Sequence, residues 1–156
     1  MDSTYLTVPK LVVAASDGGF YASNYDWKSG KRNCYKYDQD GNYLETTATA
    51  PNYMVTLALD PTAGLLYCGD LFGPVFKVDT TTKAKTDIST RNLGSLHSNN
   101  VALLMGDTLF QGSRYGATAA FDVNTGAETA PFATLNSNTG MALVDIPTLP
   151  LLLIFR

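Results

Sequence analysis

The chain has no Lys/Arg cluster: eleven basic and fourteen acidic residues are scattered along 156 positions and leave a net charge of −3. The electrostatic footprint of a nucleic-acid binder is therefore missing. No basic segment followed by an apolar core opens the sequence, so no signal peptide is visible and a cytoplasmic location is the default expectation. Apolar runs such as Leu151 to Phe155 fall far short of the roughly 20 residues needed to cross a bilayer, and no membrane partner is expected. Cysteine occurs twice, too rarely for a disulfide framework; Cys34 and Cys68 fall in different repeats and are expected as free, partly buried thiols. No P-loop, His-Glu-x-x-His, Cys-x-x-Cys or Gly-x-Ser-x-Gly motif occurs, so nothing points to nucleotide, zinc or serine-hydrolase chemistry, and no cofactor is implied.

What is abundant is apolar and aromatic. Hydrophobic residues make up 45% of the chain, with nine Tyr and seven Phe, against 16% charged residues. That is enough to fill a core and too apolar for disorder. No stretch shows sustained helical periodicity. Instead three segments superpose. Residues 11–23 lead to Tyr35-Lys-Tyr-Asp38, residues 56–70 to Phe76-Lys-Val-Asp79, and residues 100–113 to Phe121-Asp-Val-Asn124. Tyr35, Phe76 and Phe121 align, as do Ala58, Ala102 and Ala142, with a period of about 40 to 45 residues.

Each repeat reads as four strands: a small apolar one, a turn carrying Asp17, Asp60 or Asp107, an aromatic one, a loop, and a hairpin closed after Asp38, Asp79 or Asn124. The expected fold is all-β, a partial β-propeller of about three four-stranded blades plus the start of a fourth, in one domain over 1–156. The blades fall near 11–50, 54–94 and 98–135, with a truncated fourth over 138–156. A β-sandwich is the competing architecture, since it also gives short strands with regular turns. Ala58, Ala102 and Ala142 are expected to line the channel, and Tyr67, Phe76, Phe110 and Phe121 to pack between blades. The stretch 146–156 lacks an Asp/Gly turn and an aromatic second strand and carries two prolines. Its tail 149–155 has no place in a finished blade, although it is able to pair along an open strand edge. Three blades cannot close a ring. The chain is thus either a fragment or a homo-oligomer meeting through open blade faces, with an unknown protein or small polar ligand as the further partner.

The segment 12–44, through Ser16-Asp-Gly-Gly-Phe-Tyr-Ala-Ser23 and Tyr35-Lys-Tyr-Asp-Gln-Asp-Gly-Asn-Tyr-Leu44, resembles a repeat of the NHL and gluconolactonase superfamily. Leu57-Ala-Leu-Asp-Pro61 and Phe76-Lys-Val-Asp-Thr80 are also similar to surface-layer (YVTN) and low-density-lipoprotein-receptor type blades. This resemblance implies the fold and leaves function open, because such blades serve hydrolases, lyases and binding proteins alike. Enzymes of the lactonase branch hold a divalent cation with a Glu, two Asn and an Asp. Of those ligands Asn99 matches; Val55 stands where an Asn belongs, and Thr139 where a carboxylate belongs.

The candidate site residues are polar or aromatic loop positions. Asn52, Asn99, Asn100 and Asn138 precede inner strands; they either ring one mouth of the channel or serve only as turn formers. His97, beside Asn99, is an ordinary loop histidine or a ligand lacking an evident partner. Trp27, in a long loop with three cations, either anchors a partner or covers the blade edge. The reading that follows is a non-catalytic binding or interaction module. The alternative is a fragment of a gluconolactonase-like metal-dependent hydrolase or lyase, for which alone a divalent cation is expected.

Overall fold

The computed structural model describes residues 9–24, 32–70, 74–89, 101–112, 117–134, 140–146 and 149–155. The first sheet contains β1 (Pro9–Ala14), β2 (Phe20–Asn24), β3 (Asn33–Tyr37) and β4 (Tyr43–Thr49). The second contains β5 (Met54–Asp60), β6 (Leu65–Asp70), β7 (Val75–Asp79) and β8 (Lys85–Ser89). The third contains β9 (Val101–Met105), β10 (Thr108–Gly112), β11 (Ala117–Asp122) and β12 (Glu128–Thr134), and the last pair is β13 (Gly140–Ile146) and β14 (Leu149–Phe155). Each sheet is an antiparallel meander in chain order. Strand β1 meets β5, β5 meets β9, and β9 meets β13, so the first strand of every sheet lies innermost. This is a partial propeller: three four-stranded blades and the opening half of a fourth.

The tail pairs along a strand edge. It forms β14, paired with β13 from Gly140↔Phe155 to Ile146↔Leu149. An uncharged Leu/Ile/Phe run suits a strand, and β14 is the outer member of its pair, the place where Pro150 is tolerated.

Strand register corrects two of the expected equivalences. Ala58 pairs with Tyr67, but Phe110 pairs with Leu103, so the counterpart of Ala58 is Leu103 rather than Ala102. The cause is turn length: the β9–β10 turn holds only Gly106 and Asp107, whereas Pro61 to Gly64 join β5 to β6. Likewise Leu66 pairs with Val78 and Leu109 with Phe121, so Phe121 matches Val78 and Tyr37, not Phe76 and Tyr35. The turn acid of the third blade is therefore Asp122, which accepts from the Asn124 and Thr125 amides, and not Asn124. The first shift is one residue, so Ala58 and Ala102 lie on opposite faces of their blades and meet at the same seam. The second is two residues and keeps each side chain on the same face, because strand side chains alternate with period 2.

The core lies in the seams between blades. Tyr21, Cys34, Leu57, Leu66, Cys68 and Phe76 fill the seam between the first and second blades. Val55, Ala58, Tyr67, Leu109, Ala119 and Phe121 fill the next. Tyr67, Phe76, Phe110 and Phe121 are all buried, as expected of residues packed between blades. Both cysteines are free, fully buried and in the same seam, where burial pushes both thiols up. On the outer face of the first blade Tyr35 and Tyr37 are buried, and Tyr37 stacks on Phe20 with ring centroids 5.1 Å apart. The exposed large apolar side chains among the described residues are Val12 and Leu44.

One buried group is anomalous. Gln111 is fully buried on β10 and points, like Leu109 two residues before it, into the seam between the second and third blades. Neither its amide nitrogen nor its oxygen has a hydrogen-bond partner among the described residues. Its cross-strand neighbour is Ala119, where the other blades pair Ala22 with Tyr35 and Cys68 with Phe76. Large and small have been exchanged, so the Gln111 stem fills the volume an aromatic ring fills elsewhere. Gln111→Leu keeps that volume and removes two orphaned polar atoms. It should raise the unfolding free energy by about 1–3 kcal/mol in urea titration. A loss of stability would show that the amide is satisfied.

Turn carboxylates set the acid limit. Asp38 is held below its ordinary value of 3.8 by the Asn42 side-chain amide and then by backbone amides. Asp79 is lowered by the Thr82 and Thr81 amides, and Asp122 by the Thr125 amide and hydroxyl and the Asn124 amide. A carboxyl with a depressed folded value contributes stability that is complete above its unfolded value and is lost as pH falls through the folded one. Melting temperature should therefore stay flat down to about pH 4–5 and fall below it. Asp79→Asn should shrink that fall; an unchanged acid profile in this variant would remove the turn from the account.

Candidate functional site

Of the residues singled out from sequence, Asn52 is described, and its amide is already committed. It donates to Asp70 Oδ2 at 3.0 Å, while the Tyr53 backbone amide donates to Asp70 Oδ1 at 3.0 Å. Asp70 is fully buried at the end of β6. Asn52 and Asp70 together tie the segment leading into β5 to the end of β6, which is an architectural role. Trp27, His97, Asn99, Asn100 and Asn138 lie outside the described residues. Among the described residues no three His, Cys, Asp or Glu side chains gather into a cluster able to hold a metal ion.

The structure brings together a different set. The turns β1–β2 and β5–β6 and the segment following β7 enclose a cleft of about 190 Å³ between the first two blades, lined by Ser16, Asp17, Tyr21, Lys36, Pro61 and Thr80 among others. Lys36 sits in the middle of β3, between Tyr35 and Tyr37, and its side chain is only 7% exposed. Strand alternation turns it away from the tyrosines of the outer face and toward the second blade. Its ammonium donates to Asp17 Oδ1 at 2.7 Å and stands 4.6 Å from the centroid of the Tyr21 ring.

Asp17 belongs to the β1–β2 turn, where Oδ1 also accepts from the Gly19 amide at 3.0 Å. The Lys36 hydrogen bond and then the Gly19 amide hold its carboxyl below the usual carboxylate value, although the side chain is 63% exposed. Gly19 is required there: a Cβ would stand 2.2 Å from the Tyr37 carbonyl oxygen. Tyr21 is pushed up by burial, against a side-chain hydrogen bond with Thr80 that lowers it, with the Asp17 and Glu45 carboxylates adding to the rise. Thr80 anchors the opposite wall, donating from its hydroxyl to the Gly64 carbonyl at 2.9 Å. Lys83 and Glu45 form an ion pair that ties the second blade's outer turn to β4 of the first.

A second recess, of about 210 Å³, follows the inner strands and is lined by Val13, Leu57, Ala58, Ala102 and Leu104 among others. Ala58 and Ala102 thus do border the inner groove, as expected; the Ala142 side chain lies outside the described residues. The Lys36 cleft escapes sequence reasoning because Asp17 reads as an ordinary turn former. The available signal is a lysine between two apolar-face side chains inside a strand: Lys36 between Tyr35 and Tyr37, and Lys77 between Phe76 and Val78 in the second blade.

The fold therefore defines a partial β-propeller with a polar cleft between its first two blades. No family model matches the chain, and no curated protein matches it. Among solved structures it is similar to the computationally designed Ika4 protein, with a TM-score of 0.65 at 13% identity over 88% of this chain and 81% of that one. It is similar to the designed Ika8 protein, with a TM-score of 0.62 at 14% identity over 88% of this chain and 40% of that one. It is also similar to an auxiliary nutrient binding protein from Bacteroides ovatus, with a TM-score of 0.73 at 14% identity over 93% of this chain and 40% of that one. The chain thus spans about two fifths of the length of the last two. At these identities the likeness is one of fold.

Proposed function

We propose that this chain is a non-catalytic binding module whose ligand site is the cleft between the first and second blades. The observation that carries the reading is the Lys36–Asp17 pair: a nearly buried ammonium ends in a preformed recess beside a largely exposed carboxylate. Burying a charged stem is costly unless the charge has partners. Here the ammonium spends one of its three donors on Asp17, its one hydrogen-bonding partner among the described residues. A few convergent polar groups in a recess are the usual mark of a small-ligand site. The Bacteroides ovatus protein carries binding in its name, but at 14% identity it lends this reading no more than a shared fold.

The test is ligand-observed NMR on the full chain against small sugars, polyols, carboxylates and inorganic phosphate. The expected result is saturable binding by one class, weakened in Lys36→Met, with every compound recovered unchanged. Conversion of any compound would make the protein an enzyme. The hydrolase or lyase alternative has its own signature: a rise in melting temperature with millimolar Ca²⁺, Mg²⁺ or Zn²⁺ that is lost in Asn99→Ala. That outcome would overturn the binding-module reading.

A further inference from the structure

We infer that the Lys36–Asp17 cleft takes a neutral polyhydroxyl ligand, engaging two adjacent hydroxyl groups of a sugar or polyol. This rests on the cleft being a ligand site at all, and it names the chemistry that site selects.

Charge is the first argument. The ammonium and the carboxylate are 2.7 Å apart and cancel each other locally. An anion approaching Lys36 meets the exposed Asp17 carboxylate, and a cation approaching Asp17 meets the ammonium. Neither sign of ion gains what a lone charge would offer it. A neutral ligand carries no such penalty.

Hydrogen-bonding capacity is the second argument. Asp17 Oδ1 is occupied by Lys36 and the Gly19 amide, whereas Oδ2 accepts from no side chain among the described residues. An ionised carboxylate only accepts and an ammonium only donates. Side by side they ask for a ligand that donates at one point and accepts at the next. A hydroxyl does both, and two hydroxyls on adjacent carbons present a donor to Asp17 and an acceptor to Lys36 at once. Ser16, Tyr21 and Thr80 add hydroxyl groups to the wall; Thr80 spends its proton on the Gly64 carbonyl and shares a hydrogen bond with Tyr21, so it offers the ligand an acceptor.

Size is the third argument. At about 190 Å³ the cleft is smaller than the roughly 300–1,000 Å³ that drug-sized ligands occupy, so the buried part of the ligand is about one sugar ring. The Tyr21 ring already faces the Lys36 ammonium and is not free to stack on that sugar. Affinity should accordingly be modest, in the millimolar range.

The experiment is a saturation-transfer NMR titration of the full chain with glucose, with trans-1,2-cyclohexanediol against cyclohexanol, and with inorganic phosphate. Glucose and the diol should saturate; cyclohexanol and phosphate should not. Asp17→Asn, at a mostly exposed turn position that leaves the core intact, should weaken glucose binding at least tenfold. Lys36→Met, which keeps the apolar stem, should do the same, and far-ultraviolet circular dichroism confirms that each variant is folded. Saturation by phosphate with none by glucose would overturn the polyol assignment while leaving a binding cleft in place. No saturation by any probe would overturn both. Glucose binding unchanged in Asp17→Asn would place the sugar elsewhere and also overturn the assignment.

Discussion

Phe121→Ala should lower the unfolding free energy by about 3–5 kcal/mol, the cost of emptying a fully buried aromatic site. Phe121 has no exposed surface and belongs to the cluster between the second and third blades, with Tyr67, Val75 and Leu109. Its own blade places Leu109 opposite it, and the second blade closes over its far side. Neither wall can collapse into the space, because both are strands held by ladder hydrogen bonds. Total stabilities of domains this size run to about 5–15 kcal/mol, so the variant approaches the edge of folding. Phe121→Leu keeps most of the volume and should cost about 1 kcal/mol, giving a measurable intermediate. Urea denaturation of the pair checks the claim. A cost below about 1 kcal/mol for the alanine variant would mean that the seam is not packed on this ring.

Gly126→Ala should cost about 2–5 kcal/mol, with two separable parts. Gly126 closes the β11–β12 turn at φ 72, donating its amide to the Asp122 carbonyl at 2.8 Å. A left-handed conformation costs an L-residue about 1–2 kcal/mol. In addition, a Cβ there would stand 1.8 Å from the Ile88 carbonyl oxygen of β8. Relieving that overlap means moving the third blade's turn off the second blade, worth about 1–3 kcal/mol more. Gly106 is the internal control. It has φ 55, and a Cβ at that position would meet nothing within 4 Å, so Gly106→Ala should show only the conformational part. Equal losses in the two variants, measured by the same urea titration, would mean that the approach to Ile88 contributes nothing.

Much of the architecture is legible in the residues. The blade boundaries follow from turn chemistry, since Asp38 and Asp79 followed by Asn or Thr mark hairpins by a local mechanism. Register is not legible to the residue. The triplets Phe76-Lys-Val78 and Phe121-Asp-Val123 look alike, yet the first ends beside its turn acid and the second contains it. A period-2 pattern cannot detect a two-residue slip, and only the hydrogen bonds of the turn fix it. The tail is hard to place because Pro150 and the missing Asp/Gly turn hide a strand that sits at a sheet edge. The candidate site is the least legible part. Asn52 looks free in sequence, but its partner Asp70 is eighteen residues away. Lys36 and Asp17 are nineteen apart, and Thr80 approaches them from another blade. Such encounters are set by how sheets stack, which no local pattern records.

The two cysteines face one another's territory across a single joint: Cys34 belongs to the first blade, Cys68 to the second, and both are sealed into the same seam. Each is protonated and out of reach while the joint is shut. A thiol reagent added to the native protein can therefore act only during moments when the joint parts. Where reclosing outpaces the chemistry, the labelling rate is the reagent's intrinsic rate multiplied by the fraction of time spent open. The chain thus carries its own pair of clocks on the wall of the polar cleft's seam. If a ligand in that cleft clamps the first two blades together, both clocks slow by the same factor, and that factor measures occupancy without any label on the ligand.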